Sequence, residues 1–226
     1  DVYKRQVTGW GEMLHTLAHG DAVCQTAHRA DCPFPQEMRY ELPGLVIDNC
    51  AMAGRSSKTF REEGRLDDIA AHIRPGDLLV VSFGHNDANH SKAERYVPAD
   101  AFGESLRPFW DAARSHGAVC IFASPVAMRE FDEAGVCHPS FAAYREAMRA
   151  FAAEVGAPFI DLGAATAAAN TAFGAERCKA RYMWVGAKQD NAHQQNAGAC
   201  RTAQAFVQQF LQDTTPALDV LRANFK

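Results

Sequence analysis

No stretch of this chain approaches the about 18 consecutive apolar residues of a membrane-spanning helix, so no membrane partner is expected. An excess of basic residues is missing too. Lys and Arg number 23 against 27 Asp and Glu, the net charge is −4, and no basic stripe is offered to phosphates. That argues against a nucleic-acid partner. The amino-terminal residues lack the basic start and apolar run of a secretory signal, which leaves localisation open. A disulfide framework is also lacking. The seven cysteines, Cys24, Cys32, Cys50, Cys120, Cys137, Cys178 and Cys200, are odd in number and scattered, as unpaired structural thiols are. A Cys24–Cys32 bridge across a short loop is the exception that stays open, and the balance favours a reducing compartment. Repeats, low-complexity tracts and linkers are absent. The 226 residues, 47% hydrophobic, therefore read as one domain with material for one substantial core.

What is present is an alternation of two apolar periods. Trp10, Met13, Leu14 and Leu17 fall on one helical face, as do Leu66, Ile69, Ala70 and Ile73. Phe102, Leu106, Phe109 and Ala113 mark another helix, Phe141, Tyr144, Met148, Phe151 and Val155 the next, and Ala203, Phe206, Val207, Phe210 and Leu211 the last. Between them lie four short apolar runs: 44–49, 77–84, 118–124 and 157–162. Near-continuous apolar strands alternating with helices predict α/β architecture, with all four runs in one parallel sheet covered on both faces. Sites in such sheets sit at the carboxyl ends of strands.

Three motifs fall at such positions. After the first run comes Gly54-Arg55-Ser56-Ser57, where a glycine leaves a backbone N–H open to a ligand and a serine can cap a helix. After the second comes Gly84-His85-Asn86-Asp87, whose Asn amide can donate to a developing negative charge. Near the carboxyl end stands Asp190-Asn191-Ala192-His193, whose spacing suits a tight turn with the carboxylate orienting the imidazole as a general base. Taken singly, each also reads as ordinary turn or capping chemistry.

Order and context add to them. A strand-end glycine, G-x-N-D and a late D-x-x-H resemble the second, third and fifth blocks of the SGNH (GDSL-like) hydrolases. With Thr8-Gly-Trp-Gly-Glu-Met-Leu14 and Phe60-Arg-Glu-Glu-Gly-Arg-Leu66, the chain resembles the rhamnogalacturonan acetylesterase family over nearly its whole length. The resemblance implies a three-layer α/β/α sandwich, no cofactor, no metal, and removal of O-acetyl groups from an acetylated, pectin-type carbohydrate substrate. It further implies that Gly54 and Asn86 form the oxyanion hole and that His193 is the base, oriented by Asp190. Ala192 and Gln194 depart from the residues usual in that family on either side of the histidine, which leaves the substrate less defined than the chemistry.

The family's nucleophile is the serine of a Gly-Asp-Ser-Thr run that ends its first strand. None of the residues before Thr8 is serine. The serine is therefore expected upstream of Val7, and the first strand is expected to be missing or replaced. Asp1 to Gln6 match one reading frame of a transposon end used in sequencing libraries. They are read as an adapter-derived segment, with 7–226 as a hydrolase domain truncated at its amino terminus. Losing the nucleophile costs on the order of 10⁶ in turnover, so an inert piece of an active parent is expected. Three other readings remain: a carbohydrate-binding protein without catalysis, an esterase for another acyl group, and a metalloprotein using His15 and His19 at helical spacing.

Overall fold

A computed structural model describes residues 7–18 and 24–225. Asp1 to Gln6 and His19 lie outside the described residues. Three of the four apolar runs form a parallel sheet in the order β4-β5-β6: β4 (Leu78–Val81), β5 (Val119–Ala123) and β6 (Phe159–Ile160). The register pairs Leu78 with Val119 and Phe122 with Phe159. Crossovers run through α3 (Ala99–Ser115) and α4 (Ala142–Val155). Strand side chains alternate between two apolar layers, which is why both sets of alternate positions are apolar. Leu79, Val81, Cys120 and Phe122 pack with Phe102, Leu106, Phe109, Met148 and Phe151 of α3 and α4. Leu78, Val80, Ile121 and Ile160 pack with Phe206 and Phe210 of α7 (Asn196–Gln212) and Leu221 of α8 (Asp219–Asn224). Each fully buried Phe or Leu contributes about 1.5–3 kcal/mol. The expected three-layer α/β/α sandwich is the observed one.

The remaining run is placed differently. Leu45–Asn49 is β3, and it pairs antiparallel with β2 (Met38–Leu42), not within the parallel sheet; β2 in turn pairs with β1 (Gln25–Ala27). The cause is local. Leu42 pairs with Leu45 across Pro43-Gly44, and Gly44 has φ +78°. Proline followed by a positive-φ glycine is the signature of a type II turn, which folds the chain straight back. A cross-strand pair, Arg39 with Asp48 at 2.7 Å, reinforces the register. Even so, Leu45 and Ile47 pack into the same apolar layer as Leu78 and Val80. β3 therefore borders the same layer as β4. Among the described residues each ends its own sheet. A cavity of about 1580 Å³ is lined by both strands, with Trp10 and Phe206 on one side and Ile69 and Phe109 on the other.

The Trp10–Leu17 segment is a 3₁₀ helix, where its apolar spacing suggested an α-helix. The Glu12 N–H donates to the Gly9 carbonyl three residues back, at 3.2 Å, which is the backbone repeat of the tighter helix. The segment docks through Trp10, whose ring lies 4.9 Å from that of Phe206. All seven cysteines are free thiols, Cys24 and Cys32 included.

Asp161 joins the sheet to the helices around it. It caps α5 (Leu162–Phe173), accepting from the Ala164 N–H at 3.3 Å. It also accepts from Arg145 at 2.7 and 2.5 Å and from Arg149 at 2.5 Å. Burial pushes this carboxyl up, but the two guanidinium groups outweigh it and hold it at about 2. Because the folded value lies below the unfolded one, the stabilisation is present above the unfolded pKa and is lost as pH falls through about 2. Asp161→Asn should lower stability by about 2 kcal/mol at neutral pH, and the gap to wild type should narrow as pH falls from about 5 towards 2. Urea unfolding of both proteins at stepped pH checks this; a gap that does not change with pH would contradict the linkage.

Candidate active site

Two loops leave the carboxyl ends of β3 and β4 and are tied together by a buried acid. Asp87 is fully buried. One of its oxygens accepts from the Ser57 N–H at 2.9 Å and the Ser57 hydroxyl at 2.6 Å; the other accepts from the Gly84 N–H at 3.0 Å. Burial pushes the Asp87 carboxyl up, and these donors oppose it. The tie needs glycine at position 84. Gly84 has φ +129°, and a Cβ there would stand 2.4 Å from a carbon of the Pro125 ring. Ser56 caps α1 (Ser57–Glu62), which starts the chain turning away after Gly54. With the loops so joined, Asn86 Nδ2 donates to the Arg55 carbonyl at 3.1 Å, and among the described residues its second amide N–H has no acceptor. Gly54 has φ +78°, and its nearest side-chain neighbour is the Arg95 guanidinium.

The third motif lies within a strand hairpin, β7 (Tyr182–Val185) and β8 (Lys188–Gln194), where a tight turn was expected. Spacing of three on a regular strand puts two side chains on opposite faces. Here the ladder is interrupted. Trp184 pairs with Gln189 and Tyr182 with Gln194, so residues 190–193 stand opposite Met183 alone. Asp190 Oδ1 takes the backbone N–H groups of Ala192 and His193, both at 2.9 Å, and curls this bulge back on itself. Asp190 Oδ2 then lies 2.8 Å from His193 Nδ1. Burial pushes the Asp190 carboxyl up, but the two peptide N–H groups and the imidazole bring it down to about 2. It is thus an anion across the neutral range. Asn191 secures the bulge from outside, accepting from Trp184 Nε1 at 2.8 Å.

Gly54, Asn86 and His193 all border this cavity between β3 and β4, although they come from three distant parts of the chain. Among the described residues no hydroxyl or thiol hydrogen-bonds Nε2 of His193, whose side chain is 58% exposed. Ser57 is held by Asp87, and the Ser124 hydroxyl bonds Asp161 and the Gly163 N–H. Three wall residues were given no role in the site by the sequence. His85 sits near His193; burial first, then that neighbour, hold it at about 4, so it is neutral at pH 7. Its ring meets Phe141 edge-on at 4.8 Å, and Phe141 is held at φ +56°, the one non-glycine with positive φ among the described residues. The third is Arg95. G-x-N-D pointed at the position of His85, but burial and partners arise only on folding.

Cys32, Glu37 and Asp68 place one thiol and two carboxylates within 4.8 Å of one another. Arg29 pairs with Asp68 and Arg65 lies 3.9 Å from Glu37, so arginines already balance the charge. His15 stacks on Tyr40, ring centroids 4.4 Å apart.

The family model for the GDSL-like lipase/acylhydrolase family matches residues 9–199. The rhamnogalacturonan acetylesterase RhgT of Bacillus subtilis (strain 168) is 37% identical over 169 residues, covering 71% of this chain and 72% of that protein. A probable rhamnogalacturonan acetylesterase of the same organism, YesY, is 39% identical over 189 residues, covering 82% and 87%. The crystal structure of Bacillus subtilis protein YxiM superposes with a TM-score of 0.74 at 25% identity over 94% of this chain; the match spans 52% of that longer chain.

Removing the buried tie should cost more than removing one of its donors. Asp87→Ala leaves the Ser57 and Gly84 peptide N–H groups without their acceptor, while the Ser57 hydroxyl keeps Ser105 at 2.8 Å, and should destabilise the fold by about 3 kcal/mol or more. Ser57→Ala keeps the peptide N–H bond and should cost about 1 kcal/mol. Denaturant unfolding of both variants ranks them; equal losses would contradict the tie.

Proposed function

The chain belongs to the GDSL-like lipase/acylhydrolase family, and on that premise we propose that it is the body of a carbohydrate esterase. Its reaction removes O-acetyl groups from a pectin-type, rhamnogalacturonan-like polysaccharide or oligosaccharide. The observation that carries the reading is His193, held by Asp190 at 2.8 Å and bordering the same cavity as Gly54 and Asn86.

In this proposal the nucleophile is a serine borne on a strand between β3 and β4. The cavity there supports it, being lined by two strand edges and two apolar layers. Asp190 holds the His193 Nδ1–H and leaves Nε2 as the base. Nε2 takes the serine proton as the oxygen attacks the acetyl carbonyl. The Gly54 N–H and Asn86 Nδ2 stabilise the resulting oxyanion, and each such donor is worth about 10²–10³ in rate. Collapse breaks the bond to the sugar oxygen, which takes the proton from His193 and leaves as a hydroxyl, and the acetyl group stays on the serine. Water, activated by the same imidazole, then releases acetate.

Joining a strand ending in Gly-Asp-Ser ahead of Val7 should yield a protein that hydrolyses acetylated pectin and aryl acetates. His193→Ala in that protein should lower turnover by about 10⁴ or more, since triad members act as a unit. The unextended chain should be inert. A folded, extended protein that cleaves no acetyl ester would refute the esterase reading and leave a carbohydrate-binding role. Faster cleavage of medium-chain acyl esters than of sugar acetates would shift the substrate instead.

A further inference from the structure

We propose that Arg95 is the residue that reads the carboxylate of a uronic-acid unit in the pectin-type substrate, and that it sets the site's discrimination between that acid and its neutral ester. This inference rests on the reading of Gly54 and Asn86 given above, and it adds a determinant of specificity to it.

The guanidinium lies over the candidate oxyanion hole. A Cβ built on Gly54 would stand 3.4 Å from Arg95 Nη1, 3.7 Å from Cζ and 3.8 Å from Nη2. Nη1 also donates to Asn86 Oδ1, at a long 3.4 Å. The arginine is held at its backbone, whose N–H donates to the Lys92 carbonyl at 2.9 Å. Its side chain is about one-third exposed, and it borders the same cavity as His193.

What sets Arg95 apart is the lack of a close counter-ion among the described residues. Arg39 and Arg55, which border the same cavity, are each bound to a carboxylate at 2.7 Å, and Arg29 is bound to Asp68. Arg74 is turned to backbone carbonyls at the other end of β4. The carboxylate nearest Arg95 is Glu94, at 3.7 Å from Nε and itself 61% exposed, which is beyond hydrogen-bond distance. Among the described residues Nη2 has no hydrogen-bond partner. A planar guanidinium with unused donors matches a carboxylate, to which it can give two parallel N–H bonds. A neutral sugar offers hydroxyls that make weaker bonds to it, and no anion to neutralise it. The position next to Gly54 places that carboxylate within one sugar ring of the reacting acyl group.

Binding tests this without turnover, so its outcome is independent of whether the extended protein proves to be an esterase. Digalacturonic acid, its dimethyl ester and xylobiose would be titrated into the chain by calorimetry or NMR. Wild type should bind the acid at least about tenfold more tightly than the dimethyl ester, as expected for charge-assisted bonds. Arg95→Gln should abolish that preference while leaving the affinity for the dimethyl ester and xylobiose within about twofold. Arg95→Lys, which keeps the charge but not the fork, should restore part of it. Urea midpoints would establish that both variants are folded. The proposal is overturned if wild type shows no preference for the acid, or if Arg95→Gln retains it. Equal loss of all three ligands would also overturn it, by making Arg95 a prop for Asn86.

Discussion

The carboxylate of Asp87 is the contact on which the site geometry depends. It is fully buried, and it takes two donors from Ser57 and one from Gly84. Those donors lie on loops that follow different strands, separated by some thirty positions in sequence. A carboxylate removed from water is costly unless all its acceptor positions are met, so the two loops cannot separate without exposing or orphaning it. The contact thereby sets Asn86 beside Arg55 and Gly54, and it does so before any ligand arrives. Preorganised donors cost nothing to reorganise at the moment charge develops.

The hairpin that carries Asp190 and His193 depends on a separate device. Its bulge turns a strand, where spacing of three would separate two side chains, into a bend that brings them together. The same carboxylate caps two peptide groups and holds the imidazole, so bending the backbone and orienting the ring are one event. Both devices rest on the apolar layers beneath them. Phe102, Phe109, Phe122, Phe206 and Phe210 are all nearly inaccessible, and they fix the strands whose ends the loops leave. Rigid strands below and strained or capped loops above are a division of labour common to sites at sheet edges.

Much of the sandwich could be read from the chain. β4, β5 and β6 and the helices between them carry strong, uninterrupted periods, and packing follows from the same residues that define the period. β3 was recognisable as a strand but not in its partner, because Pro43-Gly44 acts over four residues while the parallel-sheet reading weighed a whole alternation. β1, β2 and β7 passed unnoticed: they are three to five residues long, and pairing rather than periodicity holds them.

The sequence by itself determined the fold class and the two-faced core, and it singled out Gly54, Asn86, Asp190 and His193 as candidates. These are properties of short windows: apolar period, turn glycines and the fixed order of three motifs. Only the tertiary structure decided how they meet. The burial of Asp87, the lowering of His85 beside His193, the bulge that joins Asp190 to His193, and the placement of Arg95 over Gly54 all depend on partners far away in the chain. Electrostatic environment and exposure are set by whatever packs around a group. No window of a few residues contains that information.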